Sequence, residues 1–126
     1  MPAKVVDASV VAAWCYGEPR ASYALGLLQD SDLYAPLLLA YELASIARRK
    51  ATAYPERTEA FSEALATALA LPIHWSDVDH LAVVSLALEA DLTTYDASYL
   101  YLARALGVPL ATFDQQLLRA VQQTGA

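Results

Sequence analysis

The sequence predicts an α/β fold in which a small parallel sheet is flanked by helices, giving three layers of helix, sheet and helix. Short apolar runs typical of buried strands alternate with longer helical segments, which is the pattern of a parallel sheet covered on both faces. The helical segments cover more of the chain than the strands, so the sheet should be small. With 126 residues, 57% of them hydrophobic, we expect residues 1–126 to form one domain.

The first half of the chain predicts two strands, each followed by helix. Val5 and Val6 are typical of a buried strand, which leads through Asp7 into an apolar helix that ends near Tyr16. Gly17-Glu18-Pro19 interrupts this helix. The remaining predicted elements are a helix over 20–29, a strand over 33–35 stopped by Pro36, and a long helix over 37–50.

The second half repeats the alternation of helix and strand. Pro55 suits the first turn of a helix that continues to about Leu69. Ser76 and Asp77 are predicted to cap a helix that ends near Ala90, and Gly107 is predicted to terminate the next one. The other predicted elements are a strand over 73–75, a helix over 96–106, a strand over 108–112 and a helix over 114–122.

The acidic composition disfavours one class of function and leaves another open. The 14 Asp and Glu residues exceed the 8 Lys and Arg residues, giving a net charge of −6. A protein that binds nucleic acid through a broad basic face has the opposite balance. An enzyme that reaches phosphate groups through metal ions is compatible with it. No apolar run approaches the roughly 18 residues of a membrane span, and the N-terminus lacks a signal-peptide layout, so we expect a cytoplasmic protein.

Four acids in apolar surroundings are the informative feature: Asp7, Glu42, Asp96 and Asp114. An ionised carboxylate that is buried without a partner costs several kcal/mol. Asp7 and Asp114 stand where a strand passes into a helix, so each could be an ordinary N-cap, and Asp96 could lie in a first helical turn. Glu42 lies in mid-helix on an apolar stripe, where no capping role exists.

The predicted sheet brings these acids together. Asp7 and Asp114 fall at carboxyl ends of strands, hence on one edge of the sheet, which Asp96 and Glu42 can reach from their helices. Carboxylates without His or Cys are the ligand set of Mg²⁺ or Mn²⁺, ions that also bind phosphate oxygens. Because such carboxylates repel one another, at least one should have a raised pKa in the metal-free protein.

The ordered segments around these acids resemble those of PIN-domain ribonucleases, and among them the VapC-type toxins of toxin–antitoxin pairs. The resemblance spans essentially the whole chain. The opening strand and first acid lie in Val5-Val6-Asp7-Ala8-Ser9, and the third-acid segment, from Thr94 to Ala103, is the most specific. The second acid follows Pro36-Leu-Leu-Leu-Ala-Tyr, and the fourth lies in the segment from Leu110 to Leu117.

The resemblance implies a PIN-like fold and an Mg²⁺- or Mn²⁺-dependent endoribonuclease that cleaves phosphodiester bonds with metal-activated water. It assigns the metal ligands and catalytic groups to Asp7, Glu42, Asp96 and Asp114, and supporting hydroxyls to Ser9 and Thr112. Ser45 departs from the family pattern, since many relatives have Asn there. The implied partners are an RNA substrate, a cognate antitoxin and a second copy of the chain in a homodimer.

Basic and aromatic residues supply further expectations. Arg48, Arg49 and Lys50, with Arg20, are candidates for RNA backbone contact, although a solvated helix end explains the cluster better. A mean hydropathy of +0.33 suggests apolar patches at interfaces. The tyrosines that could belong either to such surfaces or to the core are Tyr41, Tyr95, Tyr99 and Tyr101.

Two other classes of function are open at this point. A non-catalytic PIN-like binding module would share the fold, although the presence of all four acids argues against it. A phosphoryl-transfer α/β domain with an Asp-based Mg²⁺ site would also place Asp after its first strand. Ser9 stands where a HAD-type phosphatase requires a second acid, and the acidic pair and late Lys of a receiver domain are not evident.

Overall fold

The computed structural model describes residues 1–124 and contains four strands and seven α-helices in that part of the chain. The strands are β1 (Ala3–Val6), β2 (Asp32–Pro36), β3 (Ile73–Ser76) and β4 (Leu110–Ala111). The helices are α1 (Ala8–Cys15), α2 (Ala21–Leu28), α3 (Leu38–Ala53), α4 (Thr58–Leu69), α5 (His80–Ala90), α6 (Thr94–Leu106) and α7 (Gln115–Thr124), with a 3₁₀ turn at Pro55–Arg57.

The four strands form a parallel sheet in the order β3-β2-β1-β4. The chain moves outward from β1 to β3 and then returns past β1 to form β4. Since parallel crossovers are right-handed, this reversal places the helices before β4 on the opposite face from those before β3. The predicted α/β fold, with a small parallel sheet between helical layers, is confirmed. Open α/β sheets commonly bind ligands at such a reversal, outside the carboxyl ends of the two strands beside it, which are β1 and β4 here.

The core lies along the central strand and the helices that cover it. Val5 and Val6 are fully buried in β1, and Leu39 and Leu43 form the buried stripe of α3. Burying one such side chain contributes roughly 1.5–3 kcal/mol relative to leaving it exposed. Within residues 1–124, no helix is long and apolar enough to cross a membrane.

The structure corrects the predicted start of α5. Ser76 is the last residue of β3, and the cap is Asp79, whose side chain accepts hydrogen bonds from Leu81 N and Ala82 N. Two acids, Asp77 and Asp79, lie between β3 and α5, and the second of them caps the helix.

The last strand is shorter than the predicted 108–112. Val108 N donates to Ala103 O at 3.0 Å in the turn that ends α6, and Pro109 has no N–H to donate. Only Leu110 and Ala111 therefore join the ladder, which leaves Thr112 free to make side-chain contacts at the strand end.

Candidate active site

Asp7 lies directly after β1 and is only 4% exposed. Its Oδ1 accepts hydrogen bonds from the backbone N of Ser9 at 3.1 Å and of Val10 at 3.3 Å, so it caps α1. The Ser9 hydroxyl donates to the same oxygen at 2.6 Å, and the Thr112 hydroxyl donates to Oδ2. The carboxylate is therefore held at both oxygens at the carboxyl end of the central strand.

The same two hydroxyls tie the ends of β1 and β4 together. Phe113 N donates to Ser9 Oγ at 2.8 Å, and Asp114 N donates to Thr112 Oγ1 at 2.9 Å. Ser9 and Thr112 thus connect Asp7 to the backbone that carries Asp114. Their contacts are those of groups that orient carboxylates.

Asp114 and Asp96 both occupy helix starts at this edge. Asp114 Oδ1 accepts a hydrogen bond from Leu117 N at 3.0 Å, which caps α7. Asp96 is half-buried in the first turn of α6, and the cap of that helix is Thr93, whose Oγ1 accepts from Asp96 N at 3.1 Å. Capping is therefore a real role of Asp7 and Asp114, whereas Asp96 does not supply its helix's cap.

Glu42 lies in the second turn of α3, and its carboxylate accepts a hydrogen bond from Tyr99. The hydroxyl of Tyr99 donates to Glu42 Oε1, and Tyr99 itself is 1% exposed. The sequence left Tyr99 open between an interface and the core, and the structure places it in the core as a contact of a site acid. The spacing contained the clue, because Tyr99 lies three residues after Asp96 and shares its helix face.

The four acids lie close enough for their charges to act on one another. Burial raises the pKa of Asp7, against the effect of its hydrogen bonds. Burial also raises the pKa of Glu42, and the charges of Asp96 and Asp7 raise it further. Asp96 has a raised pKa through burial first and then through Asp114 and Asp7. Repulsion among the acids is predicted from the sequence to raise at least one of their pKa values. In the structure, burial is the larger cause of the raised pKa values of Glu42 and Asp96.

Within residues 1–124, no Lys or Arg pairs with these four acids. The ion pair in this part of the chain joins Lys50 Nζ to Glu18 Oε2 at 3.0 Å. Lys50 is thus engaged with the loop after α1, while Arg48 and Arg49 are exposed on the distal half of α3. The acids carry uncompensated negative charge, which favours a cationic ligand.

The donor set suits a hard divalent cation because it contains carboxylate and hydroxyl oxygens without His or Cys. In residues 1–124, no three acidic, His or Cys side chains converge closely enough to hold a metal as they stand. Mg²⁺ is commonly held by one or two carboxylates and keeps several waters. The four carboxylates thus have the chemistry of ligands for such an ion, although they do not converge on one point.

A cavity of about 300 Å³ lies beside this edge, at the carboxyl ends of β2 and β3. It is lined mainly by apolar groups, and none of the four acids lines it. The exposed side chains of Leu37 and Tyr95 lie at its rim. The cavity extends the surface next to the acids without being part of their site.

Without added divalent cations, we expect the protein to lose stability as the pH rises above about 4, where unfolded Asp and Glu ionise. Glu42 and Asp96 have raised pKa values when folded, so the folded state binds protons that the unfolded state has released. The stability that Glu42 and Asp96 contribute is complete below about pH 4. It is lost as the pH rises through their pKa values in the folded protein. Melting temperatures measured from pH 4 to 8 should fall, and fall less in Asp96→Asn. A rising curve that Asp96→Asn leaves unchanged would contradict this.

Comparison with known proteins places this fold and site in a family. The PIN domain model matches residues 4–122, and the chain belongs to the PIN domain family. Ribonuclease VapC3 of Pyrobaculum aerophilum is 35% identical over 118 residues, covering 90% of each chain. Ribonuclease VapC1 of Mycobacterium tuberculosis is 36% identical over 119 residues, covering 92% of this chain and 89% of the relative. Within the family, the chain is therefore a VapC-type PIN protein.

The fold agrees with a solved structure. The crystal structure of PAE2754 from Pyrobaculum aerophilum superposes with a TM-score of 0.77 at 27% identity, covering 94% of this chain and 79% of that one. The resemblance to PIN-domain proteins is confirmed, and family membership replaces the phosphatase-like and receiver-like alternatives.

Proposed function

We propose that the protein is a divalent-metal-dependent endoribonuclease and the toxin of a type II toxin–antitoxin pair. The observation that carries the proposal is a set of four carboxylates without an ion-pair partner in residues 1–124, Asp7, Glu42, Asp96 and Asp114, at the carboxyl edge of the sheet. The relatives named Ribonuclease VapC support RNA as the substrate.

The four acids have different roles in the proposed site. The Asp7 carboxylate is held by the start of α1 and by the Ser9 and Thr112 hydroxyls, and that of Asp114 by the start of α7, so both would lose little side-chain freedom in holding an ion. Glu42 and Asp96 supply the remaining charge from α3 and α6. An Mg²⁺ or Mn²⁺ ion held there would supply Lewis-acid activation of water and stabilise charge on the scissile phosphate.

Tyr99 is expected to position Glu42 for this role. Burial and the neighbouring Glu42 raise the pKa of Tyr99, so its hydroxyl stays protonated and donates. Removing a hydrogen-bond partner behind a metal ligand typically costs ~10–100-fold in metal affinity or activity. Tyr99→Phe should therefore weaken Mn²⁺ affinity by about tenfold. Tyr101→Phe, on the same helix, is the control, and equal Mn²⁺ affinities in the two variants would contradict the role.

The proposed protein partners are a cognate antitoxin and a second copy of this chain. Large apolar side chains are exposed on the surface, with Tyr41 75% and Leu81 83% exposed. Apolar patches of this kind usually mark interaction surfaces. Of the tyrosines considered from sequence, Tyr41 and Tyr95 are exposed, Tyr101 is half-buried and Tyr99 belongs to the site.

Cleavage and growth assays test the proposed function together. Purified protein with Mn²⁺ or Mg²⁺ should cleave an RNA pool, and EDTA should stop the reaction. Expression of the protein alone should slow growth, and co-expression of its antitoxin should restore it. Binding of RNA without cleavage under metal would identify a non-catalytic module instead, and unimpaired growth with abundant protein would contradict the toxin role.

A further inference from the structure

A cation and two aromatic rings form a cluster at the edge of the acidic site. The guanidinium carbon of Arg20 lies 3.8 Å from the centroid of the Phe113 ring and 5.5 Å from that of Tyr23. The two rings are 5.8 Å apart at an interplanar angle of 51°. Tyr23 is 63% exposed and Arg20 is exposed, so one side of the cluster faces solvent.

The cluster is fixed to the candidate active site by covalent and hydrogen-bonded contacts. Phe113 stands between Thr112 and Asp114, so its Cα is about 3.8 Å from that of each. Its backbone N donates to Ser9 Oγ at 2.8 Å, the hydroxyl that also donates to Asp7. Arg20 therefore rests on a ring whose backbone belongs to the network around the carboxylates.

The position of Arg20 is not explained by helix stability or ion pairing. Arg20 is the N-cap residue of α2 and makes no side-chain capping hydrogen bond. A cation at a helix N-terminus is disfavoured by the helix dipole. No Asp or Glu in residues 1–124 forms an ion pair with it. The guanidinium carbon of Arg20 lies over the Phe113 ring, and no carboxylate in residues 1–124 pairs with its N–H groups. Those N–H groups are available for phosphate oxygens, which a guanidinium binds in pairs.

We propose that Arg20, Tyr23 and Phe113 bind the nucleotide of single-stranded RNA that lies next to the scissile phosphodiester. Arg20, held on Phe113, donates to a backbone phosphate, and Tyr23 stacks against an unpaired base. This inference rests on the proposed ribonuclease function and names how that site takes its substrate.

Charge and exposure both favour RNA as the occupant. A protein of net charge −6 with four acids at its site repels a polyanion. Binding of the RNA phosphate backbone next to these acids therefore requires an adjacent cation. An exposed aromatic ring beside that cation matches the combination used for single strands, in which bases stack on rings while basic groups follow the phosphates.

The binding experiment uses the full chain in an Asp96→Asn background, in which cleavage of the RNA is slowed. Fluorescence anisotropy with a labelled single-stranded RNA gives Kd in Mn²⁺ over a series of KCl concentrations. Arg20→Ala should weaken binding about tenfold or more and lower the salt slope by about one, as loss of one phosphate contact does. Tyr23→Ala should weaken binding about tenfold with the slope unchanged, and Tyr23→Phe should bind like the parent.

Arg104→Ala is the matched control, since it removes the same charge from an exposed position eight residues beyond Asp96 on α6, about 12 Å along the helix. Equal Kd and salt slope in Arg20→Ala and Arg104→Ala would overturn the inference. Normal RNA binding combined with loss of antitoxin binding in Arg20→Ala would assign the cluster to a protein partner and also overturn it. Binding that depends on Arg20 without cleavage by the Asp96-containing protein would contradict the proposed function instead.

Discussion

Asp96→Asn is expected to reduce metal-dependent RNA cleavage by about two to three orders of magnitude, the rate equivalent of several kcal/mol of charge stabilisation. Asp96 shares the site with Glu42, Asp7 and Asp114, because its charge raises the pKa of Glu42 and the charges of the two aspartates raise its own. The substitution keeps the size of the side chain. Since Thr93 caps α6, the fold should be retained.

The matched control is Asp77→Asn. Asp77 is an exposed acid that follows β3 at the same edge of the sheet, and it borders the apolar cavity rather than the four acids. Initial rates of cleavage of a labelled RNA in Mn²⁺ give the comparison. Equal rates for wild type and Asp96→Asn, with both variants folded, would show that the carboxylates are not the catalytic site.

Asp7→Ala is expected to have the largest effect on stability, a loss of about 3 kcal/mol, from a helix cap worth ~1 kcal/mol together with buried donors left unpaired. The substitution removes the acceptor of Ser9 N, Val10 N and the Ser9 and Thr112 hydroxyls. It also removes a buried charge, which limits the loss. For a chain of this length, the melting temperature should fall by about 10 °C.

Asp79→Ala separates capping from burial. Asp79 also caps its helix through two backbone N–H groups, but it is exposed and has no hydroxyl partners. Its loss should cost only about 1 kcal/mol. Urea unfolding of the two variants measures the difference. If Asp7→Ala proved no more destabilising than Asp79→Ala, the network joining β1 to β4 would contribute nothing to folding.

The order of strands and helices along the chain could be predicted because it depends on local features of the sequence. These features are apolar periodicity and the Pro and Gly residues that end helices and strands. The boundaries that failed depended on contacts made at a distance or on a choice between neighbours. Val108 leaves β4 because its N–H is used to end α6, and α5 starts at the second of two available acids. The residue types alone do not determine where β4 and α5 begin.

The candidate site was predictable as a set of acids, but its internal contacts were not. From the sequence, Asp7 and Asp114 could be either helix caps or metal ligands. In the structure both cap a helix, and capping holds their carboxylates at the edge of the sheet. Tyr99 lies 57 positions from Glu42, so their hydrogen bond depends on how α6 packs relative to α3. The stacking of Arg20 on Phe113 is equally non-local.

Calorimetric titration of Mn²⁺ into the purified protein at neutral pH tests the central claim most directly, since it asks whether the four acids form a divalent-cation site. Wild type and Asp77→Asn should bind Mn²⁺ with the same affinity and stoichiometry, and binding should release more protons as the pH is lowered, because the pKa values of Glu42 and Asp96 are raised. Asp96→Asn should lose most of this binding. Equal Mn²⁺ binding by Asp96→Asn and Asp77→Asn would contradict the account.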